Sequence, residues 1–239
     1  MPMIRPRRSL LFMPGANVRA LEKARELPAD GLIFDLEDAV APDAKPAARD
    51  AVAAALAQGG YGRRELVLRV NALGTEWGLD DLRAAAHMPL DAVLLPKVES
   101  AERARETVAA LDQAAAPAGL AIWAMIETPR GVLAAAEIAA APRVAALVMG
   151  TSDLTKDLGA LTLADRLPLL TSPRTEAITD PPAASCYPAC YRLFFDTEIE
   201  EFQQVDPDLF FFSRARARGQ HAEGPSPALR SRTAMAISA

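Results

Sequence analysis

Glu127 and Asp153 each follow a short apolar run, 122–126 and 145–149, and one strand-plus-helix interval separates them. If both runs are neighbouring parallel strands, the two carboxylates reach the same rim of the sheet. Two carboxylates completed by waters and substrate oxygens suit Mg²⁺, which seldom sits in an all-protein cage. The same residues also fit helix ends, with Glu127 capping one helix and Asp153 serving as N-cap in a Thr-Ser-Asp turn. Asp35, Glu37 and Asp38 form the densest acidic cluster at the end of an apolar run. Alternation along a strand puts Asp35 and Glu37 on one face and Asp38 on the other. Such a cluster needs a cation or an arginine beside it, or a loop ion pair to Lys45 or Arg49. Arg69 sits in the apolar stretch LVLRVN. A buried guanidinium requires a carboxylate or an anionic ligand, and its fork can hold a carboxylate or enolate oxygen at two points. An ion pair with the acidic cluster and a role toward a ligand are compatible readings of it.

Other chemistries lack their parts. His87 precedes Met88-Pro89 ahead of the fourth run, the structural end of a barrel, and His221 lies near the C-terminus. Neither can join a Ser-His-Asp or Cys-His set at the rim. Lys97 follows the fourth run, but Glu99 comes two residues after it, and no desolvating pocket for a Schiff base is evident. Cys186 and Cys190 are spaced C-x-x-x-C, which matches no common zinc or redox motif.

The elements that must position these residues are legible as alternating textures. Apolar runs at 9–13, 31–36, 66–70, 92–95, 122–126 and 145–149 begin at intervals of 22 to 35 residues, the length of a βα unit. Between them lie helix-like stretches at 18–27, 47–56, 80–86, 100–114 and 132–140. Turns are marked by Pro14-Gly15, Gly59-Gly60, Pro89, Pro96, Pro129 and Pro142. Runs apolar on both faces predict a parallel sheet covered by helices. A dinucleotide-type glycine fingerprint after the first run is absent. The polar residues instead fall at the C-terminal ends of the runs, where (β/α) barrels build their sites. The expected fold is an α/β (β/α)₈ TIM-type barrel, incomplete or atypically closed at its C-terminal end.

The expected division is 5–172 for six βα units and 173–239 for an atypical, partly disordered segment. Six of the eight phenylalanines lie beyond residue 190; 191–195 and 209–212 are candidate strands, and the chain from Ser213 onward is Arg-, Ser- and Pro-rich. A formal net charge of -5 argues against a nucleic-acid partner. The run Arg5, Arg7, Arg8 reads as a solvated N-terminal arm more readily than as an anion site. No run nears the roughly 18 apolar residues of a membrane span, and Pro14-Gly15 interrupt the only signal-like stretch. A cytoplasmic enzyme is the expectation.

Several blocks in order resemble citrate lyase beta-subunit-like proteins of the HpcH/HpaI aldolase/citrate lyase family. They are Arg8-Ser-Leu-Leu-Phe-Met-Pro-Gly15; Asp35-Leu-Glu-Asp-Ala-Val40 with Pro42, Lys45 and Arg49; Arg69-Val-Asn71; Thr75-Glu-Trp-Gly-Leu-Asp-Asp-Leu82; Leu95-Pro-Lys-Val-Glu99; Ile126-Glu-Thr-Pro-Arg-Gly-Val132; and Gly150-Thr-Ser-Asp-Leu154. The resemblance spans about residues 5–170. The family's later Gly-Phe-Asp-Gly-Lys-like and Ile-His-Pro motifs have no counterpart here. The resemblance implies a Mg²⁺-dependent carbon–carbon lyase cleaving a 3-hydroxyacyl-coenzyme A of the citryl or malyl type. Glu127 and Asp153 would hold the metal, Arg69 would steady the enolate, and Glu37 and Asp38 would fix Arg69 and metal-bound water. Arg19 and Lys23 would meet coenzyme A phosphates. It further implies a homo-oligomer, a trimer or hexamer. Two alternatives accompany it: a non-catalytic binding or subunit module that keeps the metal site, and a class II pyruvate-dependent aldolase.

Overall fold

A computed structural model describes residues 7–160, 209–213 and 234–238. Six parallel strands carry the architecture: β1 (Ser9–Pro14), β2 (Gly31–Asp35), β3 (Glu65–Arg69), β4 (Ala92–Leu95), β5 (Ala121–Ile126) and β6 (Val144–Gly150). Each pairs in parallel with the next, so the sheet curls in chain order. Helices α1 (Val18–Lys23), α2 (Lys45–Gln58), α3 (Gly78–Ala85), α4 (Ala101–Gln113), α5 (Pro129–Leu133), α6 (Ala135–Ala140) and α7 (Thr151–Asp157) fill the intervals. No helix among the described residues is long and apolar enough to cross a membrane.

The six expected apolar runs all form strands, within two residues at each end. Helix α1 stops at Lys23, four residues short of the expected end, and the stretch 132–140 forms two short helices, α5 and α6. The helix of the sixth βα unit, α7, starts ahead of Asp153, where the sequence reads Thr-Ser-Asp as a turn. That turn is the first turn of a helix starting directly from β6.

The closing segment departs from the regular βα repeat. Strand β7 (Leu209–Ser213) pairs antiparallel with β6 and with β8 (Ala234–Ser238), and β8 pairs in parallel with β1. The eight strands thus form a ring, but not through eight regular βα units. The candidate strand 209–212 is present. Beyond Ser213 the described residues are Ala234–Ser238, whose backbone satisfies the edge of β1. An unpaired edge strand exposes a row of donors and acceptors, so any available extended segment is favoured there. The candidate strand 191–195, Cys186, Cys190 and His221 lie outside the described residues.

Alternate side chains of each strand serve two apolar layers. Leu10, Phe12, Ile33, Val67, Leu94, Trp123, Met125 and Val148 fill the inside of the curled sheet. Leu11, Met13, Leu32, Phe34, Leu68, Val93, Ile122 and Ile126 face the helices. Both faces being buried accounts for the continuous apolar runs. The N-terminal floor of the inside layer is closed by Arg7, whose guanidinium binds the Glu65 carboxylate at two points and lies 5.1 Å from the Trp123 ring centroid. Arg7 is therefore no solvated arm. Arg8 pairs with Asp30 (3.1 Å), so these two basic residues sit at the end of the sheet away from the acidic rim.

Candidate active site

The inward register of the strands continues past the apolar layer. On β2 it runs from Ile33 to Asp35 and on β3 from Val67 to Arg69. Beyond β5 it runs from Met125 to Glu127, and on β6 from Val148 to Gly150. The C-terminal mouth of the curled sheet is therefore lined by a carboxylate, a guanidinium and a second carboxylate, all buried.

Asp35 and Arg69 are direct cross-strand partners. The guanidinium grips Asp35 at two points, Nε to Oδ1 at 2.7 Å and Nη2 to Oδ2 at 2.5 Å. Its remaining edge, Nη1, lies 3.0 Å from Glu37 Oε2 and 3.7 Å from Asp38 Oδ2. The Phe12 ring lies beneath, 5.4 Å away. The fork geometry explains why arginine stands here rather than lysine. Burial alone would lower the Arg69 pKa, but the bond and charge of Asp35, with Glu37 and Asp38, raise it above the ordinary value.

The acidic turn is shaped by its own backbone. Asp35 Oδ1 accepts the Glu37 amide (2.8 Å) and Oδ2 the Ala39 amide (3.3 Å), which bends the chain just past the strand. An ion pair of these carboxylates with Lys45 or Arg49 was the alternative reading of the cluster, and the two side chains bind elsewhere. The Lys45 ammonium donates to the carbonyls of Leu36 (2.9 Å) and Glu37 (2.7 Å), holding the turn by its backbone. Arg49 instead pairs with Asp81 (2.8 Å), which is fully buried and also accepts from the amide and side chain of Asn71. Asn71 Nδ2 then donates to Leu36 O (2.9 Å), so this chain of contacts supports the turn from below.

Glu127 comes from the end of β5. Its Oε1 accepts the Lys97 amide at 2.7 Å, and its side chain lies directly over Gly150. A Cβ on Gly150 would fall 2.5 Å from Glu127 Oε2 and 2.7 Å from Glu127 Cβ, so glycine is required for this approach. Asp153 stands in the first turn of α7, and its carboxylate pairs with the Lys97 ammonium at 3.2 Å. Neither residue is a helix cap: Thr128 caps α5, and Gly150 is the N-cap of α7.

Burial pushes the Glu127 carboxyl up to about 7; the Lys97 amide and Arg69 oppose the shift, and Asp153 adds to it. Burial likewise pushes Glu37 up to about 7, against Arg69, with Asp38, Glu127 and Asp35 adding to the rise. Five carboxyl groups thus share two cations. Glu37 Oε2 is buried and, although near Arg69, receives no hydrogen bond. A buried carboxylate oxygen without a donor, near a Glu127 carboxyl that burial keeps from ionising, fits a hard divalent cation. Among the described residues no three His, Cys, Asp or Glu side chains form a cage. Two carboxylates completed by oxygen ligands would suit Mg²⁺ better than zinc.

The structure thus gathers Glu37, Asp38, Arg69, Glu127 and Asp153 at one mouth. It does not bring Arg19 and Lys23 among them; both are exposed on α1. His87 is exposed near the N-terminal end of β4. An ion pair of Arg69 with the acidic cluster was one expected reading, and Asp35 is the member that binds it at two points. The signal was available, since both are the last inward positions of neighbouring strands. Lys97 as partner of Glu127 and Asp153 had no such signal, because its placement depends on a backbone turn at φ 49°.

The chain has relatives of known name. A (3S)-malyl-CoA thioesterase of Cereibacter sphaeroides (strain KD131) is 52% identical over 162 residues, covering 68% of this chain and 55% of that protein. The citrate lyase subunit beta of Escherichia coli (strain K12) is 39% identical over 160 residues, covering 64% of this chain and 53% of that one. Among solved structures, the protein CitE of Mycobacterium tuberculosis in complex with magnesium, acetoacetate and coenzyme A superposes with a TM-score of 0.58. It is 34% identical, and the match covers 77% of this chain and 64% of that chain. The chain spans about half the length of the curated relatives it matches. The model of the HpcH/HpaI aldolase/citrate lyase family matches residues 8–186, and the chain belongs to that family.

Proposed function

We propose that this protein is a Mg²⁺-dependent carbon–carbon lyase that cleaves a 3-hydroxyacyl-coenzyme A into a smaller acyl thioester and an oxo acid. The observation that carries the reading is the mouth itself: Glu127 and Asp153 bridged by Lys97, beside an arginine with one edge turned toward Glu37 and Asp38. Magnesium held by Glu127 and Asp153 would supply Lewis-acid polarisation of the oxo-acid half.

The residues of the chain divide the remaining work. In the cleavage, the C3 hydroxyl gives up its proton, the C2–C3 bond breaks, and its electron pair passes into the thioester as an enolate. Arg69 Nη1 is the edge not committed to Asp35, and it is suited to steady the enolate oxygen. Glu37, held near neutrality by burial, is suited to take up and return a proton. Asp38, largely exposed, marks where the mouth opens to solvent. Residues 5–172 would form the catalytic unit, and 173–239 a segment that closes the sheet. The exposed Arg19 and Lys23 of α1 would meet the coenzyme A phosphates. A cytoplasmic homo-oligomer completes the proposal.

Thioester hydrolysis at the same site is a second reading, favoured by the 52% identity to a thioesterase. Incubating the full chain with malyl-, citryl- and methylmalyl-coenzyme A, with Mg²⁺ or EDTA, separates the two. A lyase releases an oxo acid, trapped as its hydrazone, without a free thiol. A thioesterase releases the thiol of coenzyme A without an oxo acid. Turnover of neither kind, or turnover indifferent to EDTA, would overturn the metal-dependent reading.

A further inference from the structure

Lys97 touches both members of the proposed metal pair, and it does so from opposite ends of one residue. It follows Pro96 just beyond β4 with φ 49°, a left-handed backbone rarely used by residues other than glycine. That turn aims its amide at Glu127 Oε1 (2.7 Å) while its side chain reaches across to Asp153 Oδ2 (3.2 Å). The two contacts differ in kind. The amide bond to Glu127 belongs to the backbone and survives any change of side chain. The ammonium contact is a salt bridge with half-exposed partners, free to break.

We infer that the Lys97 ammonium is an exchangeable counter-ion, occupying Asp153 in the metal-free protein and yielding that carboxylate to Mg²⁺. The inference rests on the reading of Glu127 and Asp153 as metal ligands. Three features of the chain support it. Asp153 has a cation already in place, so the metal-free site does not leave that carboxylate uncompensated. The ammonium has somewhere to go, since a cleft of about 180 Å³ opens beside it, lined by Asn71, Leu73, Pro96, Lys97, Arg103 and Thr107. Glu127, held by the amide, keeps its position whichever cation is present. The arrangement makes metal uptake a replacement of one cation by another and weakens Mg²⁺ binding relative to a site with no lysine.

Magnesium titration calorimetry on the full chain tests this without reference to turnover. Lys97→Met removes the ammonium and keeps both the amide and the left-handed backbone, so strain cancels in the comparison. A half-exposed ion pair of this kind predicts a Kd for Mg²⁺ roughly two- to five-fold lower in Lys97→Met. Lys97→Arg, which keeps the charge, stays within about two-fold of the natural protein. Melting in EDTA checks that each variant is folded, and Lys97→Gln replaces Lys97→Met if the methionine variant is not. An unchanged or higher Kd in the folded neutral variant overturns the proposal. Glu127→Gln separates this failure from that of the parent reading. If Glu127→Gln abolishes Mg²⁺ binding while Lys97→Met leaves it unchanged, only the exchange fails. If the natural protein binds no Mg²⁺, or Glu127→Gln binds it equally well, both fall together.

Discussion

The two carboxyls raised to about 7 make the metal-free protein less stable as pH rises, the reverse of ordinary acid denaturation. In the unfolded chain Glu37 and Glu127 lose their protons near 4.5, whereas in the fold they keep them to about 7. Between those values the native state binds more protons than the unfolded state, so unfolding free energy falls with rising pH. A shift of about 2.5 units at about 1.4 kcal/mol per unit gives about 3.5 kcal/mol for one group. The pair together give less than twice that, because protonating either carboxyl relieves the other. Asp30 acts in the opposite sense, but its lowered pKa places its effect at more acid pH, below this window.

Urea denaturation in EDTA between about pH 4.5 and pH 7.5 measures the slope directly. At roughly 2–4 °C per kcal/mol for a chain of this size, one group alone corresponds to about 10 °C in melting temperature. Magnesium favours the ionised carboxylates, so the stabilisation it gives grows across the same interval and approaches zero at the acid end. Glu127→Gln, a neutral isostere, removes that residue's share of the slope and the magnesium effect with it. A stability that is flat or rising over this interval in EDTA would refute the reasoning, since it would mean that both carboxyls ionise normally in the fold.

Two substitutions test the supports of the site. Gly150→Ala drives a methyl into Glu127, and we expect a loss of about 1–3 kcal/mol in stability together with at least a ten-fold weaker response to Mg²⁺ in a thermal-shift titration. Asp81→Ala strips the partner from Arg49 and two hydrogen bonds from Asn71, and we expect about 3–5 kcal/mol of destabilisation by urea denaturation.

The parts of the fold that the sequence made legible are those governed by short-range periodicity. Runs such as 31–36 and 66–70 are apolar on both faces because one face meets Phe12 and Trp123 and the other meets the helices. The convergence of Glu37, Arg69, Glu127 and Asp153 follows from the same register, since each stands at or just beyond the C-terminal end of a parallel strand. What escaped depends on geometry that residue types do not encode. The Asp35 carboxylate bends the chain after β2, and the bend, not strand alternation, decides where Glu37 and Asp38 point. Arg7 looks like part of a basic arm until Glu65, a lone acid opening an apolar strand, is seen to need a partner. The antiparallel course of β7 arises from pairing between segments more than fifty residues apart, where periodicity carries no information.

The two halves of the mouth depend on the closing strands to different degrees. Asp35, Glu37, Asp38 and Arg69 lie on β2, β3 and the turn after β2, with a strand on either side of each and the Asp81–Asn71 contacts beneath. That cluster meets an edge of the six-strand sheet through β1, where Phe12 lies beneath Arg69 and Pro14 pairs with Asp35. Glu127 and Asp153 differ, because the backbone that sets their spacing is Gly150, the last residue of the edge strand β6. Gly150 is in register with Leu209 of β7, so the flank of the proposed metal pair is fixed by the antiparallel strand. Unpaired, an edge strand would be free to shift by the fraction of an ångström that separates a close Gly150–Glu127 contact from a gap. The arginine-centred acidic turn is therefore a property of the first βα units alone, whereas the geometry of the carboxylate pair joins those units to the segment that closes the sheet.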